Sequence, residues 1–398
     1  MTDSASFTLP APTSHEGDIA CWLNLPIRRI GEWQQTIDVY APPGHGPRPV
    51  VVYFHGGGWR VGQPADYRTL ALKLAQAWNV VVVSASYRLI DRALFPAQPQ
   101  DAANAVRWIR AHAAAWNIDP QSVAVTGSSA GGYLAAMVAL THDHPQLAGG
   151  DAINAQSAAP QAVVVCWGPL DFIARWYGNG GRAGAEQGLL GYDYVTDPTA
   201  YHHASALTYA RRDAPPALFV QGRQDPTVHQ QQGELGHAAW RRYGVDSQLL
   251  LLDRIGHGGS DPADEAREAA EVERFLATRL KLTARGSTRR LSQFTRLVSL
   301  APAVRRRHAD HAAELARELE RITIAEFARG ARHIVLAQQL QCTFHTPSQV
   351  PCTGRHAELG TEALAERLLA EAQGARRIGQ GEARIGMRRE QRASARGE

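Results

Sequence analysis

Short runs of β-branched residues alternate with longer stretches in which apolar residues recur every three or four positions. The short runs predict buried strands, and the longer stretches predict amphipathic helices. Strands that alternate with helices are typical of βαβ units and of a mostly parallel sheet. We therefore expect an α/β fold with strands at Gln35–Tyr40, Pro49–Phe54, Val80–Ser84, Ser122–Thr126, Ala162–Cys166, Ala217–Gln221 and Gln248–Leu252.

Helical spacing is clearest at Ala102–Ala113 and at Val272–Leu280, where apolar residues fall on one face. A glycine-rich stretch at Gly178–Gly191 follows the fifth predicted strand. It is either a long loop or the start of an inserted lid.

Charge divides the chain of 398 residues in two. The net charge is +4, but residues 283–398 hold 20 arginines, no lysine and 12 acidic residues, a net +8, which leaves −4 for residues 1–282. This shift in composition predicts a boundary near Thr283 to Arg285, with a globular domain at 1–282 and an Arg-rich extension at 283–398.

Two interpretations of that extension stay open. Helical periodicity at Ala309–Leu340, without stacking aromatics beside the arginines, favours a weakly ordered or helical extension over a nucleic-acid-binding tail.

The extension also contains a spacing that resembles a zinc site. Cys342 and His345 with Cys352 and His356 imitate a zinc-ligand spacing, but the flanking sequence offers no finger core. We predict no metal site there.

The location is predicted from what the sequence lacks. No basic residue precedes Arg28, and Pro10 and Pro12 interrupt the N-terminus, so we expect no secretory signal peptide. The apolar runs are far shorter than the roughly 20 residues needed for a membrane span. Four scattered cysteines indicate no disulfide framework. Together these observations predict a cytoplasmic protein.

A glycine-flanked serine follows the fourth predicted strand. Gly127 lies two positions before Ser129, Gly131 lies two positions after it, and the helical stretch Tyr133–Leu140 comes next. Small residues at those positions let a serine occupy a sharp, strained strand-to-helix turn, the nucleophile elbow. We predict that Ser129 is a nucleophile, although chance alone can supply G-x-S-x-G.

An H-G-G-G motif that begins at His55 directly follows the second predicted strand. Glycines let a loop turn its backbone N–H groups toward the negative charge that develops on a carbonyl oxygen during acyl transfer. We assign this oxyanion hole to the N–H groups of Gly57, Gly58 and Ala130, with Gly56 as an alternative donor.

A serine hydroxyl needs a base to take its proton, and the base needs an acid to orient it. Asp225 and His257 each come shortly after a predicted strand, near the sheet edge where ligands gather in parallel α/β folds. The order Ser129, Asp225, His257 is the one found in α/β-hydrolases. We predict Asp225 as the orienting acid and His257 as the general base.

Residues 35–280 resemble the hormone-sensitive-lipase-like esterases, and especially the small bacterial esterases of the BD-FAE type. The strings that carry the resemblance are His55-Gly-Gly-Gly-Trp59, Tyr87-Arg-Leu89, Phe95-Pro-Ala-Gln98, Asn117-Ile-Asp-Pro120, Gly127-Ser-Ser-Ala-Gly-Gly132, Asp225-Pro-Thr-Val228 and Gly256-His-Gly258. The resemblance implies an α/β-hydrolase fold with a small lid insertion. It also implies cleavage of short to medium acyl or small aromatic esters through an acyl-enzyme, without metal or organic cofactor.

Other candidate residues carry weaker signals. We assign substrate binding to residues beside the motifs: Trp59, Ser128 and Trp167. Further aromatic residues either line an acyl pocket or pack in the core or lid: Trp176, Tyr177 and Tyr192. Two histidine clusters are interpreted as surface residues rather than metal ligands: His142-Asp143-His144 and His202-His203.

Ester hydrolysis leads three functional hypotheses. The second is an arylformamidase-type amide hydrolase, because arylformamidases resemble the same family. The third is a non-catalytic ligand-binding protein, which would be expected to lack a member of the serine, aspartate and histidine set. We expect a small-molecule ester as partner and no nucleic acid for residues 1–282, and the sequence leaves a homo-oligomer open.

Overall fold

The computed structural model describes residues 7–44, 46–149, 155–182, 184–259 and 261–285. All seven predicted strands are confirmed, and two more precede them. The strands are β1 (Ser14–Glu16), β2 (Ile19–Ile30), β3 (Trp33–Ala41), β4 (Arg48–Phe54), β5 (Val81–Ala85), β6 (Ile118–Ser128), β7 (Ala162–Cys166), β8 (Ala217–Gly222) and β9 (Ser247–Leu252).

The described strands form one mixed sheet in the order β1-β2-β3-β5-β4-β6-β7-β8-β9. β1, β2 and β3 pair antiparallel, and β3 also pairs antiparallel with β5. From β5 to β9 all neighbouring strands are parallel. The carboxyl ends of β4, β6, β7, β8 and β9 therefore meet at one edge of the sheet.

Helices cover both faces of this sheet. The helices are α1 (Arg68–Ala77), α2 (Ala97–Ala111), α3 (Ala130–Thr141), α4 (Phe172–Gly178), α5 (Ala185–Leu190), α6 (Pro198–Ala204), α7 (Gln231–Arg242) and α8 (Pro262–Leu280). Alternate strand residues enter different core clusters because side chains alternate across a strand. Val50 and Val52 pack on the face of α2 and α3, whereas Val51 packs on the face of α1 and α8.

Phe172–Ala204, between β7 and β8, is a helical segment that we call the insertion. The glycine-rich stretch predicted as a loop or lid contains the end of α4 and all of α5. Arg175 of α4 pairs with Glu186 of α5 at 3.0 Å, and the Glu186 side chain is fully buried while that of Arg175 is 9% exposed. Arg175 Nη1 also donates to Thr227 O at 2.5 Å. The insertion is thus tied to the loop that follows β8.

The chain continues in contact with the sheet domain across the predicted boundary. Asn79 N donates to Thr283 O at 2.8 Å, and Arg285 N donates to Ala77 O at 2.9 Å. The Arg285 side chain also pairs with Asp18. The predictions made for Ala309–Leu340, for the cysteine and histidine spacing and for the rest of the extension lie outside the described residues.

Among the helices that the structure describes, none combines the length and the apolar character that a bilayer crossing requires.

A buried carboxylate ties α2 to the chain after β5. Asp101 Oδ2 accepts hydrogen bonds from Arg88 N at 2.9 Å and Arg88 Nε at 2.8 Å, and Oδ1 accepts one from Arg88 Nη2 at 2.8 Å. Arg28 approaches the same carboxylate at 3.5 Å. The Asp101 side chain is 0% exposed, so a loss of its charge leaves partly buried guanidinium groups without this acceptor.

Asp101→Ala should lower the free energy of unfolding by about 3–5 kcal/mol, because removing one partner of a buried ion pair leaves an uncompensated charge. Urea unfolding followed by tryptophan fluorescence measures the change. Asp91→Ala is the matched control, because its exposed ion pair with Arg92 should be worth less than about 1 kcal/mol. Equal losses in the two variants would contradict this account of Asp101.

Candidate active site

The turn at Ser129 is the predicted nucleophile elbow. β6 ends at Ser128, α3 begins at Ala130, and Ser129 between them has φ +55° and ψ −121°. A positive φ in a non-glycine residue costs backbone energy and persists only where the surroundings impose it. Here Ser129 N donates to Cys166 O of β7 at 2.9 Å, which helps to hold the turn.

The two glycines of the elbow permit a very close approach of backbones. A Cβ added at Gly131 would lie 1.9 Å from Phe54 O, and a Cβ added at Gly127 would lie 2.4 Å from Gly131 O. Real Cβ atoms essentially never come within 3.0 Å of such atoms. The glycines are therefore a steric requirement of packing α3 against the end of β4.

Ser129, His257 and Asp225 form one continuous hydrogen-bonded chain. His257 Nε2 lies 2.8 Å from Ser129 Oγ, and His257 Nδ1 lies 2.8 Å from Asp225 Oδ2. The acid follows β8 and the histidine follows β9, two strands that pair in parallel. The structure thus brings together the three residues that the sequence selected.

The Asp225 carboxylate is held on both oxygens. Oδ1 accepts hydrogen bonds from the backbone N–H groups of Thr227 and Val228, each at 2.8 Å. Oδ2 faces His257 and also accepts a bond from Gln221 Nε2 at 3.2 Å. The Asp225 side chain is buried, whereas that of His257 is partly exposed. These contacts orient the carboxylate toward Nδ1, so that Nε2 faces the serine.

Carbonyl contacts fix the peptide units of the loop after β4. The Tyr87 hydroxyl donates to His55 O at 2.9 Å, and His55 Nδ1 lies 2.8 Å from Gly56 O. Gly57 O accepts hydrogen bonds from Arg60 N at 3.0 Å and from Val61 N at 3.2 Å. In a trans peptide the N–H points away from the carbonyl. The Gly57 and Gly58 N–H groups therefore face away from these contacts.

This loop lies directly beside the elbow. A Cβ added at Gly56 would lie 3.5 Å from the Ser129 Cβ. Gly57 has φ +111°, and a Cβ there would lie 2.2 Å from Val61 O. Only glycine fits Gly57, as the H-G-G-G motif indicated.

The predicted substrate residues have different surroundings. Trp59 is only 1% exposed and packs edge-on against the rings of Tyr133 and Phe172. The Ser128 hydroxyl is hydrogen bonded to the Tyr67 hydroxyl. Trp167 is buried and its ring lies 4.0 Å from a Cβ built at Gly258, beside the triad histidine. Ser128 directly precedes Ser129 and Trp167 lies near His257, and substrate contact stays a prediction for all three residues.

The other predicted pocket aromatics belong to the insertion or its edge. Trp176 is buried and packs against Tyr194 and Tyr201. Tyr177 is 66% exposed and Tyr192 is 37% exposed. Core packing therefore accounts for Trp176, and nothing in the structure assigns a ligand to the two tyrosines.

The histidine clusters have protein partners. Asp143 pairs with Arg211, and His144 Nδ1 accepts backbone N–H groups at 3.3 and 3.4 Å. The rings of His202 and His203 lie 6.1 Å apart. Within the described part of the chain, no group of three or more His, Cys, Asp or Glu residues is arranged to hold a metal ion.

Sequence comparison relates the chain to named esterases. The BD-FAE family model matches residues 37–239. Ethyl acetate hydrolase from Pseudomonas putida is 31% identical over 56% of this chain and 70% of its own length. Esterase LipQ from Mycobacterium tuberculosis is 29% identical over 61% of this chain and 58% of LipQ. The chain thus spans little more than half the length of LipQ.

Solved structures of esterases share the fold. A truncated carbohydrate esterase from gut microbiota has a TM-score of 0.59 at 22% identity and covers 68% of this chain and 100% of that one. Native esterase 2 from Thermogutta terrifontis has a TM-score of 0.54 at 24% identity and covers 64% of this chain and 90% of that one. The sheet and helices described above are those of an α/β-hydrolase.

Gly131→Ala should destabilise the protein by about 2 kcal/mol or more, because its Cβ would overlap Phe54 O and force α3 away from β4. Gly178→Ala is the matched control, since a Cβ at that helical position meets nothing within 4 Å and should be neutral or stabilising by up to about 1 kcal/mol. Chemical denaturation compares the two variants. Similar stabilities would show that the elbow does not need glycine.

Proposed function

This chain belongs to the BD-FAE family, and from that premise we propose that it cleaves carboxylic esters through a covalent acyl-enzyme. The observation that carries the proposal is the unbroken chain Ser129 Oγ, His257, Asp225, with two contacts of 2.8 Å. A positioned base beside a serine is what turns a weak nucleophile into a strong one.

The acylation step follows from this geometry. Ser129 Oγ attacks the ester carbonyl carbon while its proton passes to His257 Nε2. The imidazole becomes positively charged, and Asp225 stabilises that charge through Nδ1–H. The tetrahedral intermediate then collapses, the alkoxide leaves with the proton from Nε2, and the acyl group stays on Ser129.

The negative charge of the intermediate needs donors that are already in place. We assign this role to the N–H groups of Gly57, Gly58 and Ala130. In the glycine loop, residues 55–58, the carbonyl oxygens of Gly56 and Gly57 already have partners. The N–H groups of Gly57 and Gly58 lie on the opposite side of those peptide planes. Ala130 is the first residue of α3, where backbone N–H groups have no helical acceptor and the helix dipole favours negative charge.

Deacylation repeats the same steps with water. His257 Nε2 takes a proton from a water molecule, which attacks the acyl carbon. The second tetrahedral intermediate uses the same donors, and its collapse returns the proton to Ser129 Oγ and releases the acid.

We propose esters with short to medium acyl chains or small aromatic groups as substrates. Ala185, the first residue of α5, lies 3.6 Å from a Cβ built at Gly58, so the insertion stands close to the glycine loop and limits the room there. The Pseudomonas putida relative is named for ethyl acetate, an ester with a two-carbon acyl group.

An amide hydrolase is the second candidate. Arylacetamide deacetylase from Oryctolagus cuniculus, an enzyme named for an amide, is 37% identical over 34% of this chain and 33% of its own length. A non-catalytic binding protein is disfavoured because all three triad residues are present and connected. A cytoplasmic location stays a prediction, and whether the chain forms a homo-oligomer stays open.

Ser129→Ala should lower kcat/KM for p-nitrophenyl acetate and butyrate by about 10⁴-fold or more, because the nucleophile is lost. Steady-state assays measure this change. Ser157→Ala is the matched control, since this serine is exposed and its substitution should leave the rate unchanged. Equal rates for Ser129→Ala and the wild type would contradict this mechanism.

A matched ester and amide decide between the two candidate reactions. Phenyl acetate and acetanilide share an acetyl group and an aromatic ring, and differ in the linking atom. We expect turnover of phenyl acetate, with kcat/KM for acetanilide and for N-formylkynurenine below about one hundredth of that value. A preference for N-formylkynurenine would assign the chain to amide hydrolysis instead.

A further inference from the structure

A tyrosine that no motif predicts joins the two halves of the candidate site. Tyr67 ends the short 3-10 helix Pro64–Tyr67, which follows the glycine loop. Its hydroxyl is hydrogen bonded to Ser128 Oγ, one residue before the nucleophile. Its ring lies over the ring of Tyr53 in β4, with centroids 4.1 Å apart and planes 33° apart. The ring of Tyr67 is thus held by Tyr53, and its hydroxyl is held by Ser128.

The residue that this hydroxyl contacts lies against the glycine loop. A Cβ added at Gly56 would lie 3.1 Å from Ser128 O and 3.5 Å from Ser128 Oγ. Burial raises the pKa of Tyr67 to about 12, although the contact with Ser128 and the nearby Gly56 backbone each lower it. The phenol therefore keeps its proton at neutral pH and does not act as a base.

Gly56 is held on its other side by a neighbouring ring, because its carbonyl oxygen lies 2.8 Å from His55 Nδ1. The hydroxyls of Tyr67 and Ser128 share one hydrogen bond, in which either oxygen can be the donor.

We infer that Tyr67 is a positioning residue. Its ring lies on Tyr53 of β4, the strand that leads into the glycine loop, and its hydroxyl bonds to Ser128, so that it bridges the two sides and holds the glycine loop in register with the nucleophile elbow. This inference rests on the function proposed above. The oxyanion donors that we assign come from both sides of the bridge, Gly57 and Gly58 from the loop and Ala130 from the elbow. A small relative shift of the two sides separates donors that must converge on one oxygen.

Tyr67→Phe removes the bridging hydroxyl and keeps the ring that stacks on Tyr53. We expect kcat for p-nitrophenyl butyrate to fall about 5- to 30-fold with KM changed less than about twofold, because the lost bond is worth one hydrogen bond and acts on the transition state. Tyr243→Phe, the same change at an exposed tyrosine at the end of α7, is the control and should match the wild type.

Two further measurements separate positioning from mere support of the fold. A trifluoromethyl ketone, which forms a tetrahedral adduct with the nucleophile, should lose affinity by the same factor as kcat in Tyr67→Phe. Ser128→Ala removes the other end of the bridge and should have a similar effect, and the double variant should be no worse than either single one. If Tyr67→Phe fails to fold, Ser128→Ala alone carries the test.

The outcomes distinguish the two proposals. An active wild type with full kcat and full ketone affinity in Tyr67→Phe overturns the positioning role and leaves ester hydrolysis intact. A raised KM with unchanged kcat also overturns it, because Tyr67 would then bind substrate. A wild type that turns over no ester and forms no adduct at Ser129 overturns the proposed function, and the role of Tyr67 with it.

Discussion

The contact between Gly131 and the Phe54 carbonyl determines the rest of the site. β4 and β6 are parallel neighbours, and Phe54 lies in register with Gly127. α3 can begin at the end of β6 only if the residue of its first turn that passes over the Phe54 carbonyl, Gly131, has no side chain. With glycine at both flanking positions, Ser129 is held at a positive φ, and its hydroxyl meets the histidine. Larger residues would separate the two strand ends that carry the nucleophile and the glycine loop.

Each group of the site is supplied by the end of a different strand, and backbone contacts align the strands. β4 supplies the glycine loop, β6 the serine, β8 the aspartate and β9 leads to the histidine. β7 lies between the serine and the acid, and its Cys166 carbonyl accepts the Ser129 N–H. Sheet register therefore sets which strand ends meet, and the short loops after β8 and β9 carry Asp225 and His257 from those ends to the serine.

Much of this arrangement could be predicted from sequence, because the parallel strands are buried on both faces and appear as continuous apolar runs. β1 and β2 could not. β2 has register shifts near Leu25 and Pro26, and Asn24 has φ +53°, so the alternation that predicts a half-exposed strand is interrupted. The triad was predictable because its residues follow recognisable strands in a known order.

The surroundings of the triad were less predictable. Trp59 belongs to a family motif, but its side chain lies in the core. Tyr67 carries no signal, because its partner Ser128 is 61 residues away and only the packing of β4 against β6 brings them together. Asp101 and Arg88 form a local pair whose burial depends on the whole domain. Side-chain environment is a property of tertiary packing, which local patterns do not encode.

The central claim is that Ser129 carries the acyl group during turnover, and mass spectrometry of the quenched reaction tests it directly. The protein is mixed with p-nitrophenyl butyrate, stopped in acid within milliseconds and digested. We predict a butyryl mass increment on the peptide that contains Ser129, formed as p-nitrophenol is released and lost as turnover ends. Steady p-nitrophenol release with the increment on another residue, or with no increment at any time, would contradict the account.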